Sequence, residues 1–155
     1  MEQQAISPKI LIDLSNTLDR IDRIARIQDL KFNDFQSLSS LYEGGNVGDV
    51  LTVNGTRNLM TIRHEDHIQF HTKIKPGQKF PIHWHDCFEV CEVINDGVLS
   101  DELRPGLSWK KNKLYIVPPM TRHLPLNQSS IDLELIVNFY RKEKYESIYG
   151  EWLKK

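Results

Sequence analysis

Two periodicities divide the chain near residue 50. Before it, Leu11, Leu14, Leu18, Ile21 and Ala25 recur at three- and four-residue steps, and Ile10, Ile24 and Ile27 widen the same stripe. Asp13, Asp19, Arg20, Asp22, Arg23 and Arg26 fall mostly on the other face. Ser7 offers an N-cap and Pro8 a first-turn proline. The pattern predicts an amphipathic helix from about residue 8 to 30, packed on its own domain or on a twin subunit. Its mixed charges argue against a DNA-recognition helix. Residues 31–49 are transitional, with room for one short helix before Gly44-Gly45 breaks the chain.

After residue 50 the pattern turns to short alternating runs and tight turns. "VLTV" meets Asn54-Gly55, a hairpin signal. "HIQFHTKI" sets Ile68, Phe70 and Ile74 on one face and His67, Gln69 and His71 on the other, and Pro76-Gly77 closes it. "FEVCEVI" leads to Asn95-Asp96-Gly97 and then to "VLSDEL", and Arg104-Pro105-Gly106 turns the chain again. "KLYIVPP" is a strand ended by prolines. "IDLELIVNFY" is the last strand, with Ile131, Leu133, Leu135, Val137 and Phe139 in phase. Six or more short strands with evenly spaced turns predict an all-β sandwich or barrel.

Composition narrows the function classes. A chain of 155 residues, with 26% charged and 39% hydrophobic residues, suits one folded, soluble domain plus an appendage. A formal net charge of −1 gives no broad electrostatic reason to expect nucleic acid. No stretch approaches the roughly 18 apolar residues of a membrane span, and "MEQQAIS" lacks a signal-type apolar run. Cys87 and Cys91 on one strand would lie about 13 Å apart, beyond disulfide reach. These features lead us to expect a reduced, cytoplasmic protein with no membrane and no nucleic-acid partner.

The chemistry concentrates in "PIHWHDCFEV", residues 81–90. Residues two apart on a strand point the same way. An unbroken strand therefore sets His83, His85 and Glu89 on one face and Glu92 on the other, provided no bulge at Asp86-Cys87 resets the phase. His123 joins the group if its strand lies beside the first. Imidazoles with one carboxylate suit a divalent transition metal (Fe, Mn, Ni, Cu or Zn) rather than Ca or Mg. Histidines at this spacing also occur without an ion.

These residues carry a resemblance. "GQKFPIHWHDCFE", residues 77–89, resembles the first motif of the cupin superfamily: Gly, five residues, His-x-His, three or four residues, Glu. The usual closing Gly arrives as Gly97, one residue late. "NKLYIVPPMTRHLPLN", residues 112–127, is similar to the second motif at Pro118, His123 and Asn127. Asn112 and Met120 stand where that motif has glycines, and Asn tolerates the left-handed conformation better than Met. The resemblance spans about residues 50–140 and leaves out the N-terminal helix. It implies a double-stranded β-helix, or jelly-roll barrel, with a metal held by the residues matching His83, His85, Glu89 and His123.

The expected layout is a helical arm over residues 1–45, a cupin-like barrel over 46–140, and a charged tail over 141–155 that suits a short helix. Candidate pocket residues are His67, Gln69, His71, Cys91, Tyr115 and Arg122. The even phase, Trp84, Phe88, Val90 and Ile94, needs cover from a second sheet, a twin subunit or the N-terminal helix, and a homodimer is expected. The leading functional expectation is a metal-dependent enzyme acting on a small molecule, of dioxygenase, isomerase or lyase type. Glu89 argues against the thiol dioxygenase branch, which generally uses three histidines. The alternative is a non-catalytic sensor or carrier whose helical arm meets a partner.

Overall fold

The computed structural model describes residues 4–5, 27–29, 35–36, 38–53 and 55–150. The elements in chain order are β1 Gln4–Ala5, β2 Ile27–Asp29, β3 Phe35–Gln36, α1 Ser39–Gly44, β4 Val50–Val53 and β5 Thr56–Arg63. They continue as β6 His67–Ile74, β7 Trp84–His85, β8 Phe88–Val93, β9 Leu99–Asp101 and β10 Ser108–Trp109. The last are β11 Tyr115–Val117, β12 Pro125–Asn127, β13 Leu133–Tyr140 and α2 Lys142–Tyr149.

The main sheet runs β11-β8-β13-β6-β5-β4-β2, with β1 also on β5. A three-stranded sheet, β10-β9-β12, faces it, and β3 pairs with β7. Strands distant in sequence lie side by side: β13 pairs antiparallel with both β6 and β8. The all-β reading is therefore correct, and the strands wind as a double-stranded β-helix.

Alternation explains the layers. On β6, Ile68, Phe70 and Ile74 point inward and are buried. Leu133, Leu135, Val137 and Phe139 do the same on β13, as do Cys91 and Val93 on β8. Each such side chain contributes about 1.5–3 kcal/mol by leaving water. At the hairpin after β8, Gly97 is required by proximity. A Cβ there would lie 2.9 Å from Leu133 Cα, so no larger residue fits against β13.

One expectation needs correction. Most of the helix predicted over about residues 8–30 lies outside the described residues. Its last part, Ile27–Asp29, is instead an edge strand running parallel to β4, with Ile27 opposite Val50. The open edge of β4 offers unpaired backbone groups, and pairing with them outweighs local helix propensity.

The even phase finds part of its cover within the chain. Among the described residues, Phe88 and Val90 pack against α2. Tyr145 of α2 stacks on Phe88 with ring centroids 3.9 Å apart, and Tyr140 completes the cluster. Trp84 is half-buried under the Arg122 guanidinium, 4.8 Å from its ring, and Ile94 is exposed. Among the described residues no helix is long and apolar enough to cross a membrane.

Candidate metal centre

His83, His85, Glu89 and His123 converge inside the barrel. One donor atom from each lies within 4.8 Å of the others, and all four residues are buried. The strand bearing the first three is broken: β7 ends at His85, residues 86–87 bend, and β8 begins at Phe88. Glu89 still faces inward and Glu92 is exposed, as parity requires. His123 arrives by direct pairing, because the His83 and His123 amides each donate to the other's carbonyl, at 3.2 and 3.0 Å. The Met120 amide donates to the His85 carbonyl at 2.7 Å and closes the turn that precedes His123.

The ring orientations decide which nitrogens face the centre. Nδ1 of His83 lies 2.7 Å from the Pro81 carbonyl, Nδ1 of His85 lies 3.2 Å from that of Cys87, and Nδ1 of His123 lies 2.9 Å from that of Thr121. A carbonyl only accepts, so each Nδ1 carries a proton and donates. In the neutral ring Nε2 is then a bare acceptor aimed inward. Burial pushes His83 down to about 4, which keeps it neutral at physiological pH.

Glu89 supplies a further acceptor. Burial alone would raise its carboxyl, but positive charge and N–H donation at the His123 and His85 positions outweigh that and hold it well below the usual carboxylate range, the same preference for a cation that a bound metal would meet. Its Oε1 lies 2.9 Å from His85 Nε2 and 3.3 Å from His123 Nε2. The His123 Nε2 is buried and has no hydrogen-bond partner among the described residues. Acceptors facing acceptors at these distances repel unless a cation lies between them. Two donors each about 2.1 Å from a shared ion lie roughly 3.0–3.4 Å apart, according to coordination geometry. The donor set and its spacing therefore fit a divalent transition metal. The other carboxylate oxygen, Oε2, accepts from the Cys91 thiol at 3.0 Å.

His83 and Glu89 also line a cavity bounded by Leu51 and Val53 of β4, Phe70 of β6, and Leu135 and Val137 of β13. Its empty volume is about 610 Å³, including solvent space at the mouth. Cys91 is the one candidate pocket residue that lines this cavity.

The other candidates lie elsewhere. His67 and Gln69 sit on the outer face of β6, where both bond to Asn138 Oδ1, at 2.8 and 2.9 Å. His67 also stacks on Tyr140. His71 is buried on that same outer face, opposite Leu59 and Ile136. The inward phase of β6 is the opposite one, Ile68, Phe70, Thr72 and Ile74, so His67, Gln69 and His71 do not line the cavity. Tyr115 is buried with its hydroxyl donated to Asp101, 2.8 Å away, and Arg122 is exposed over Trp84.

Asp101 is the supporting residue that sequence reading missed. Its Oδ1 accepts from the Leu103 and Leu124 amides, and its Oδ2 from Tyr115 and Arg104. Burial would raise this carboxyl, but the Tyr115 hydroxyl, the two amides and the Arg104 charge together lower it. It thereby fixes the backbone next to His123. No local signal in "VLSDEL" marks it, since Leu124 lies 23 residues away.

No protein-family model matches the chain, and the search of curated proteins found no significant match. Solved structures are similar. One is an RmlC-like cupin family protein with a double-stranded β-helix fold from Methanocaldococcus jannaschii. It has 19% identity and a TM-score of 0.50, over 61% of this chain and 88% of that one. Another is AerE from Microcystis aeruginosa, at 17% identity and TM-score 0.50, over 57% of this chain and 42% of that one. By its strand order and by these likenesses, the chain has the cupin fold, the double-stranded β-helix.

Proposed function

We propose that the protein is a metal-dependent enzyme acting on a small molecule at the centre formed by His83, His85, Glu89 and His123. The observation that carries this reading is the inward convergence of bare acceptors, with Glu89 Oε1 2.9 Å from His85 Nε2. When bound, a divalent transition metal supplies Lewis acidity and, if redox-active, a route for electrons to dioxygen. The chain's own residues hold the geometry. The Pro81, Cys87 and Thr121 carbonyls fix the three rings, and the Cys91 thiol occupies Glu89 Oε2. His83 and Glu89 present their side of the centre to the cavity, where a substrate has access. The apolar walls exclude water and strengthen electrostatic contacts inside. Dioxygenase, isomerase and lyase chemistry are all compatible with this arrangement.

One observation favours the second reading, a non-catalytic binding module. The polar groups beside the metal ligands are already engaged: Cys91 donates to Glu89, and Thr72 donates to Asn58 at 2.7 Å. Neither then offers an uncommitted proton donor beside the ligands, which suits a site that only binds.

The test has two stages. Elemental analysis should find about one divalent ion per chain, lost in His83→Ala and His85→Ala and retained in Glu92→Gln. Azide should then perturb the visible spectrum of the cobalt-loaded protein, and metal-dependent turnover should be sought among small oxidisable acids and phenols, under air and under argon. A metal that excludes azide and changes only thermal stability would refute the enzyme reading in favour of the binding module.

A further inference from the structure

The cavity beside the metal centre restricts what can enter it, provided the metal-centre reading above is right. Away from the metal ligands its described lining is mainly hydrocarbon, with Leu51, Val53, Phe70, Leu99, Leu135 and Val137 as its main walls. Besides His83, Glu89 and Cys91, two polar residues, Asn58 and Thr72, line it, and their donors are already committed. Thr72 Oγ1 donates to Asn58 Oδ1 at 2.7 Å. Asn58 Nδ2 donates to the Leu51 and Thr56 carbonyls, at 3.0 and 3.2 Å. Among the described lining residues there is no Lys and no Arg.

Charge then fixes the head group. Three neutral imidazoles, one carboxylate and a divalent ion leave a single positive charge at the centre. One anionic oxygen group neutralises it. A second anionic group further along the ligand would meet only apolar walls, and an unpaired buried charge is strongly disfavoured. Hydroxyl-rich ligands fare poorly for the related reason that their hydrogen bonds to water go unreplaced.

We infer that the substrate is a small, mainly hydrocarbon monoanion, bound by one oxygen head group at the metal with its apolar body between β4, β6 and β13. Sugar phosphates, nucleotide-linked sugars and short dicarboxylates fall outside this class. The committed donors of Asn58 and Thr72 and the hydrocarbon walls carry the inference together; neither would suffice alone.

The experiment titrates cobalt-loaded, full-length protein with acetate, butyrate, hexanoate and octanoate, and with adipate, in competition with azide. Each added methylene should tighten binding about fourfold until the cavity is full, the equivalent of about 0.8 kcal/mol per buried CH₂. Adipate should bind at least tenfold more weakly than hexanoate. Dissociation constants independent of chain length, or adipate binding as tightly as hexanoate, would overturn the substrate class. Azide alone reads the open metal position. If azide binds while the chain-length series is flat, the substrate class fails and the metal-centre reading stands. If neither azide nor any carboxylate binds, both fail.

Discussion

Met120 is the residue at which the chain departs most from the motif it resembles, and the departure has a measurable cost. Its φ is 60°, in the left-handed region, where the motif has glycine. For an L-residue that conformation costs about 1–2 kcal/mol, from the Cβ–carbonyl clash. Glycine removes the clash but loses about 0.5–1 kcal/mol more chain entropy on folding. The Met120 side chain is 59% exposed, so little burial is lost on its removal. Met120→Gly should therefore stabilise the protein by roughly 0.5–1 kcal/mol, which raises Tm by about 1–4 °C for a chain of this size. Thermal and urea unfolding of the metal-free variant would measure it. Asn112→Gly is the control: its φ is 71°, but Asn tolerates this region, so the change should stay within about 0.5 kcal/mol. Because the backbone is kept, the Met120→Gly amide still reaches the His85 carbonyl and metal affinity should not move. An unchanged or lowered Tm in Met120→Gly would show that the left-handed turn is not under strain, and the reasoning would fall.

Two further outcomes follow from the centre. Cys91→Ala leaves Glu89 Oε2 without its donor, so metal affinity should drop about tenfold in a chelator competition, while Cys91→Ser should recover much of it. Equal affinity in all three proteins would assign Cys91 to packing alone. The metal-free protein should also lose stability in mild acid. Burial holds His83 at about 4 in the fold, against about 6.5 unfolded, so the unfolded chain takes up the proton first. Above pH ~6.5 this costs nothing, and stability is lost as pH falls from there towards 4, by up to about 3 kcal/mol. Urea midpoints at pH 7.5, 5.5 and 4.5 test the sign, and a rise in stability over that range would contradict it. Glu89, held low, adds its own loss only below about 4.5.

The parts of this structure legible in the sequence were those encoded over short distances. Alternation in "HIQFHTKI" and "IDLELIVNFY" placed the inward residues of β6 and β13, and the spacing of His83, His85 and Glu89 survived the bend at residues 86–87 because Glu89 kept its inward phase. What depended on distant partners was not legible. Alternation alone makes His67 and Gln69 pocket candidates, but Asn138, 71 residues from His67, binds them on the outer face. Ile27–Asp29 carried a helical stripe, but its conformation was decided by an edge it meets only in the fold. β12 is three residues long and begins with proline, so it has no alternation to detect. The helical character of the tail was visible, but its target, Phe88, was not.

Each histidine of the centre is steadied by a main-chain carbonyl only two positions away in its own sequence: Pro81 for His83, Cys87 for His85, Thr121 for His123. Many metal sites entrust this task to a carboxylate from another part of the fold, which a single substitution can delete. Here no side-chain replacement removes the anchoring oxygen, because the peptide group itself provides it. The grip on the ion is therefore insulated from changes in the cavity walls on β4, β6 and β13. Wall residues can be exchanged, by selection or by design, to admit a differently shaped guest while the ion-holding apparatus stays in register. The barrel thus separates an inheritable, fixed coordination unit from a surface free to diversify.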